Sequence, residues 1–237
     1  MTREQAISRL IVALDSQDLA EARGWVNLLR GRVGCFKVGL EAFTAFGPAF
    51  VEELVGQGER VFLDLKLHDI PNTVARAAKA CARLGAFMLN VHASGGLAMM
   101  AAAQAAVQTE QPETRLLAVT VLTSLDEPSL LQLGVEGPLP VTVMRWAKLA
   151  KDAGLSGIVC SGQELPHLRE FFPPPFLLVV PGIRPARGSH QDQRRVATPA
   201  EAIRQGADFI VVGRPITSAS DPQRACEEIL EEIVTLC

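Results

Sequence analysis

No Cys-x-x-Cys pair occurs in this chain, and its five cysteines, Cys35, Cys81, Cys160, Cys226 and Cys237, lie far apart. An odd number without paired spacing argues against both a disulfide framework and a zinc site. Reduced thiols in a cytoplasmic protein are the simplest reading. Long hydrophobic runs are missing too. The longest early one, Leu10 to Leu14, is far too short for a signal-peptide core or a membrane span, so no membrane partner is expected. Basic tracts and basic-aromatic interleaving are absent, and a net charge of −3 gives no reason to expect nucleic acid. There is no low-complexity segment. Nothing resembles an interdomain linker either, since Phe171-Phe-Pro-Pro-Pro-Phe176 is too short and too apolar to separate domains. The 237 residues, 48% hydrophobic and 21% charged, suffice for a substantial core in one domain spanning 1–237.

What is present is organised around Val61 to Thr73. Val61, Phe62, Leu63, Leu65 and Leu67 form a nearly continuous apolar run that reads as a buried strand, yet Asp64 and Lys66 sit inside it. Side chains two apart on a strand share a face, so this carboxylate and this ammonium point the same way. Buried charges cost several kcal/mol unless paired, and an ordinary core would not contain them. Pro71 then starts a helix that runs to about Leu84. A structural ion pair at a strand end is one reading; an active site where a parallel strand hands over to a helix is the stronger one.

The same rhythm extends along the chain. Strands are expected at Leu10–Leu14, Cys35–Gly39, Val61–Leu67, Phe87–Val91, Leu116–Val121, Gly157–Cys160, Leu177–Val180 and Phe209–Val212. Helical segments alternate with them: Asp18 to Arg30, Pro48 to Gly56, one from Leu97, Val141 to Ala153, Gln163 to Phe171, Pro199 to Gln205 and Pro222 to Thr235. The units share no obvious sequence similarity, which excludes a repeat array. Eight buried strand–helix units predict an α/β fold, a (β/α)8 barrel. The alternative, a doubly wound open sheet, lacks support because Asp15-Ser16-Gln17 stands where a glycine-rich fingerprint would follow the first strand.

A barrel places its site where the strands end. Asp15 after the first strand, Lys37 in the second, and Asp64 and Lys66 in the third therefore form a candidate network in which each lysine is held protonated by a carboxylate. Lys37 alone would pass for a rim lysine whose head snorkels to water. Pro181-Gly-Ile-Arg184 and Gly213-Arg214-Pro215-Ile216 follow the last two strands, where this fold commonly binds phosphate through glycine N–H groups and the arginine fork. The stretch Ala186 to Thr198 is long enough for a lid. His68 and His92 end adjacent strands near Asp64 and Asp69, which makes a metal site conceivable, but two lysines would compete with a cation and no metal is expected. His167 and His190 read as surface or loop residues.

Asp64-Leu-Lys66-Leu-His-Asp69-Ile-Pro-Asn-Thr73 resembles the Asp-x-Lys-x-x-Asp motif of the orotidine 5′-phosphate decarboxylases in its bacterial form. Further likeness covers nearly the whole chain: Ala13-Leu-Asp15, Phe36-Lys37-Val-Gly39, Asn90-Val-His-Ala93, Leu122-Thr-Ser124, Pro181-Gly-Ile-Arg184, Asp192-Gln193, Ala197-Thr-Pro199 and Val212-Gly-Arg214. The short motif is shared with related sugar-phosphate barrels; the full set is far more specific.

The resemblance implies a homodimeric barrel that converts orotidine 5′-phosphate to UMP and CO2, the last step of UMP biosynthesis, with no metal and no cofactor. It implies Lys66 as proton donor within a Lys37–Asp64–Lys66 array completed by Asp69 of the neighbouring subunit. Asp15 and Lys37 would hold the ribose and Thr123 the pyrimidine. Ile70 and Thr73 would lie in the binding segment, and Arg184, Gln193, Gly213 and Arg214 would grip phosphate or close over it. Two other functions remain: a magnesium-dependent sugar-phosphate decarboxylase or aldolase on a related barrel, and a catalytically silent phosphate-binding barrel. The intact charged array argues against the silent binder.

Overall fold

A computed structural model of the chain describes residues 1–185 and 197–237. Its strands are β1 (Leu10–Ala13), β2 (Cys35–Gly39), β3 (Val61–Leu67), β4 (Met88–His92), β5 (Arg115–Val119), β6 (Gly157–Val159), β7 (Leu177–Val180) and β8 (Phe209–Val212). Each pairs in parallel with its sequence neighbours, and β8 returns to β1 through Leu10↔Ile210, so the sheet closes into the expected barrel.

Two alternating sets of side chains explain why these strands are buried throughout. Leu10, Val12, Phe36, Val38, Val61, Leu63, Leu89 and Val91 belong to the large layer between barrel and helices. The intervening residues Ile11, Cys35, Phe62, Met88, Leu117, Val179 and Val211 fill the barrel interior. Both faces are thus covered, as a parallel sheet requires. The N-terminal end of the barrel is plugged by Phe87 and Phe209, edge to face at 6.0 Å, with the guanidinium groups of Arg60 and Arg115 over the Phe87 ring at 4.9 and 4.4 Å. Toward the other end the inward positions turn polar, at Lys37, Asp64 and Asn90, and a cavity opens.

Local signals set the helices. Asp18 caps Leu19–Leu29 by accepting the Ala20 and Glu21 N–H groups, and Thr198 and Asp221 cap Pro199–Arg204 and Pro222–Leu236 in the same way. Pro71 occupies the first turn of Pro71–Ala82. Gly85 and Gly154, at φ 76° and 78°, end the helices before β4 and β6 in the left-handed conformation that glycine adopts without steric cost.

Several element ends fall a residue or two from the expected ones, as at Ala13, Val159 and Leu139, and larger differences stand beside them. The fourth strand runs Met88–His92, with Phe87 just before it still bonded through its backbone to Val61 and Arg115, and the fifth runs Arg115–Val119 and ends before Thr120. Short helices at Leu40–Phe46, Glu127–Gln132 and Arg214–Thr217 were not anticipated. None of the helices among the described residues is long and apolar enough to cross a membrane.

Candidate active site

The site is built on an irregularity in β3. Between the pairs Leu63↔Leu89 and Leu67↔Val91, β3 advances four residues while β4 advances two. Such bulges bend a strand and re-aim a side chain. Lys66 lies in this interval at φ 52°, the one non-glycine residue of positive φ among the described residues. Holding a lysine there costs about 1–3 kcal/mol, which the surroundings must offset. Its backbone N–H donates to Asn90 Oδ1 at 2.7 Å.

Four charged groups form a continuous line across the mouth of the barrel. Asp15 Oδ1 lies 2.9 Å from Lys37 Nζ, Lys37 Nζ lies 3.4 Å from Asp64 Oδ2, and Lys66 Nζ lies 2.7 Å from Asp64 Oδ1. Asn90 Nδ2 also donates to Asp64 Oδ1, at 2.6 Å. Lys37 and Asp64 are 9% and 8% exposed, so solvent screens their contact little. For Lys37, burial disfavours the ammonium, but Asp64 and Asp15 outweigh it and hold its pKa above the ordinary lysine value. For Asp64, burial is the largest single influence and opposes the charge. The opposing pull of Lys37, Lys66 and the Asn90 hydrogen bond is larger, and the carboxyl stays below its usual range. Gly39 makes the packing possible: a Cβ there would stand 2.6 Å from Lys37 Nζ and 2.9 Å from Asp15 Oδ1.

A cavity of about 540 Å³ opens above this line and gathers most of the sequence-predicted residues: Asp15, Lys37, Asp64, Lys66, Thr123, Arg184, Gly213 and Arg214 all line it. Arg184 is buried, and its Nη1 donates to the Ile183 carbonyl at 2.9 Å. Backbone pairing of the Arg184 N–H with the Ala197 carbonyl at 3.0 Å joins the two ends that flank residues 186–196. Cavity, charges and loop ends meet at the C-terminal mouth of the barrel, the face where this fold carries its chemistry.

A family model described as "Orotidine 5'-phosphate decarboxylase / HUMPS family" matches residues 8–229. The chain belongs to this family. Among curated relatives, the orotidine 5'-phosphate decarboxylase of Moorella thermoacetica is 53% identical over 98% of this chain and 95% of its own length. That of Geobacter sulfurreducens is 50% identical over 99% of both chains. The crystal structure of orotidine 5'-phosphate decarboxylase from Lactobacillus acidophilus superposes with a TM-score of 0.85 at 40% identity, covering 95% of this chain and 98% of that one.

Several expectations drawn from the decarboxylase family fall outside the cavity. Asp69, Ile70 and Thr73 do not line it; Asp69 is exposed, and its Oδ1 accepts the Ile70 N–H at 2.6 Å. Gln193, His190 and most of the expected lid lie outside the described residues. The His68 and His92 rings stand 5.5 Å apart. Burial first, then His68 and Lys66, push the His92 pKa below the ordinary histidine value. Among the described residues no three His, Cys, Asp or Glu side chains are grouped as a metal site would need. Sequence reasoning gave no site role to Glu41 and Cys160 in the cavity lining; Pro181 lines it as part of the expected Pro181–Arg184 turn, and Asn90, behind the cavity, was matched only within the Asn90-Val-His-Ala93 likeness. For Asn90 there was a signal, a lone amide within the buried strand β4.

Proposed function

We propose that this chain decarboxylates orotidine 5′-phosphate to UMP and CO2, with Lys66 delivering the proton that replaces the carboxylate. The observation that carries the reading is the unbroken Asp15–Lys37–Asp64–Lys66 line at the base of the cavity, in a chain half identical to curated decarboxylases of that substrate. When the bond from C6 to the carboxylate breaks, its electron pair stays on C6 in the ring plane, with no adjacent π system to accept it. An ammonium fixed beside C6 stabilises that charge as it develops and then donates its proton there; the resulting amine recovers a proton from water. Asp64, held ionised by its neighbours, holds Lys66 Nζ in place at 2.7 Å. Arg184, Gly213 and Arg214, just after β7 and β8, suit a phosphate, whose binding energy is then available at the reacting centre. Thr123 suits the pyrimidine, Asp15 and Lys37 the ribose, and Gln193 a contact over the phosphate.

We further infer one barrel domain over 1–237, a cytoplasmic setting in keeping with free cysteines, and a homodimer with shared sites. Ile70 is 67% exposed beside an outward Asp69, and an apolar side chain next to a carboxylate on a protruding turn suits insertion into a second copy. In that arrangement Asp69, Ile70 and Thr73 serve the neighbouring subunit's site. The direct test is ultraviolet absorbance of orotidine 5′-phosphate on adding purified protein, with and without chelator. Equal turnover in both supports the reading. No turnover, or turnover abolished by chelator, contradicts it.

A further inference from the structure

The catalytic line leans on a residue that does not touch the cavity. Asn90 sits on β4, fully buried, and is absent from the cavity lining. Its carboxamide makes two contacts with β3, both at the irregular interval. Nδ2 donates to Asp64 Oδ1 at 2.6 Å, and Oδ1 accepts the Lys66 N–H at 2.7 Å. The second contact occupies the gap where β3 and β4 fall out of register between Leu63 and Leu67. The side chain of one strand thus supplies a ladder bond that the backbones cannot make.

We propose that Asn90 is a positioning residue for the decarboxylation, a clamp that fixes the Asp64 carboxylate and the left-handed backbone of Lys66 relative to each other. The two functions require one amide. An acceptor is needed for the Lys66 N–H and a donor for the carboxylate, and an amide offers both from one rigid plane. Without the donor, Asp64 Oδ1 keeps only the Lys66 ammonium, and the carboxylate is held about its χ2 by the two lysines alone, Lys66 on Oδ1 and Lys37 at 3.4 Å from Oδ2. Without the acceptor, the Lys66 N–H is left unpaired in the barrel wall and its backbone loses the bond opposing relaxation from φ 52°. Either change moves the ammonium relative to C6 while leaving the phosphate grip, after β7 and β8, intact. A misplacement on the order of 1 Å costs about a hundredfold in rate.

The inference rests on the decarboxylase reading, and the test separates the two. Asn90→Leu keeps the number and branching of side-chain heavy atoms, though it is bulkier, and removes both contacts; Asn90→Asp keeps the shape and the acceptor but replaces the donor with a like charge. For a folded Asn90→Leu that still binds UMP as the wild type does, kcat should fall by about ten- to a hundredfold with KM changed less than about threefold. In Asn90→Asp the introduced carboxyl faces Asp64 and Lys66 on β3, has His92 two positions along its own strand, and has apolar Leu117 opposite on β5. Burial and the Asp64 charge raise its pKa against the pull of Lys66, and once protonated it can again donate. Its kcat relative to wild type should therefore climb as the pH is lowered from about 8 to about 5.5. A folded Asn90→Leu with kcat within about twofold of wild type, or with its loss confined to KM, overturns the proposal. Should that variant fail to fold, a pH-independent ratio for Asn90→Asp overturns it instead. A wild-type protein without turnover overturns the decarboxylase reading and this inference together.

Discussion

Replacing Lys66 by alanine removes one ammonium from a balanced line of two carboxylates and two ammoniums. At 2.7 Å its contact with Asp64 corresponds to about 6 kcal/mol of Coulomb attraction at an effective dielectric of about 20, before desolvation is counted. A carbanion developing at C6 within about 3 Å of the same ammonium would feel a pull of similar size, and only the part exceeding the ground-state contact accelerates the reaction. We therefore expect Lys66→Ala to lose at least roughly 4 kcal/mol of transition-state stabilisation, about a thousandfold in kcat/KM. The fold should survive. Asp64 retains Lys37 at 3.4 Å and Asn90 at 2.6 Å, and alanine at φ 52° is no more strained than lysine. The assay is loss of substrate absorbance under kcat/KM conditions, with circular dichroism and thermal unfolding alongside. A folded variant that keeps more than a few per cent of wild-type activity would refute the role given to Lys66.

Three further outcomes follow from the same geometry. Arg214→Ala should cost about 1.5–3 kcal/mol in kcat/KM with orotidine 5′-phosphate and little with orotidine, which lacks the phosphate; equal losses with both substrates would remove Arg214 from the phosphate grip. Inactive Lys66→Ala and Asp69→Asn proteins, mixed so that subunits exchange, should recover activity at about a quarter of all sites, because half the dimers are mixed and each has one site free of both lesions. An exchange-competent mixture as inactive as its parents contradicts the shared site. The Asp64 pKa is depressed in the fold, so the stability it contributes is present above the ordinary value near 4 and lost as the pH falls through the folded value. Asp64→Asn should accordingly be less stable than wild type by about 3–5 kcal/mol at neutral pH, with the gap closing in acid, as read from urea midpoints; a gap independent of pH would show that Asp64 gains nothing from its partners.

The barrel was legible because burial on both faces writes itself into local sequence as short apolar runs. Asp64 and Lys66 stood out against that background, and so did Arg184 and Gly213-Arg214, whose place just after the last strands is a property of chain order. Helices such as Leu40–Phe46 and Arg214–Thr217 were not legible, being short and starting without a side-chain cap, whereas the equally short Pro199–Arg204 is announced by Thr198 and its capping box. Phe87 reads as strand from its hydrophobicity and its backbone does bond to Val61 and Arg115, but its place in the plug with Phe209 and two guanidinium groups was not visible in its own segment. The left-handed Lys66 and the clamp of Asn90 depend on how two strands fall out of register, a relation between segments 24 residues apart that neither carries alone. Asp69 illustrates a different limit. Its partner in the proposed reading lies on another copy of the chain, so no contact within one subunit could disclose it.

The most direct measurement is a complete turnover of orotidine 5′-phosphate in heavy water, with the products identified by mass and proton NMR. The account predicts one CO2 released per UMP formed, with deuterium at C6 of the UMP and no product from Lys66→Ala on the same timescale. Unchanged substrate, or UMP carrying no deuterium at C6, would contradict it.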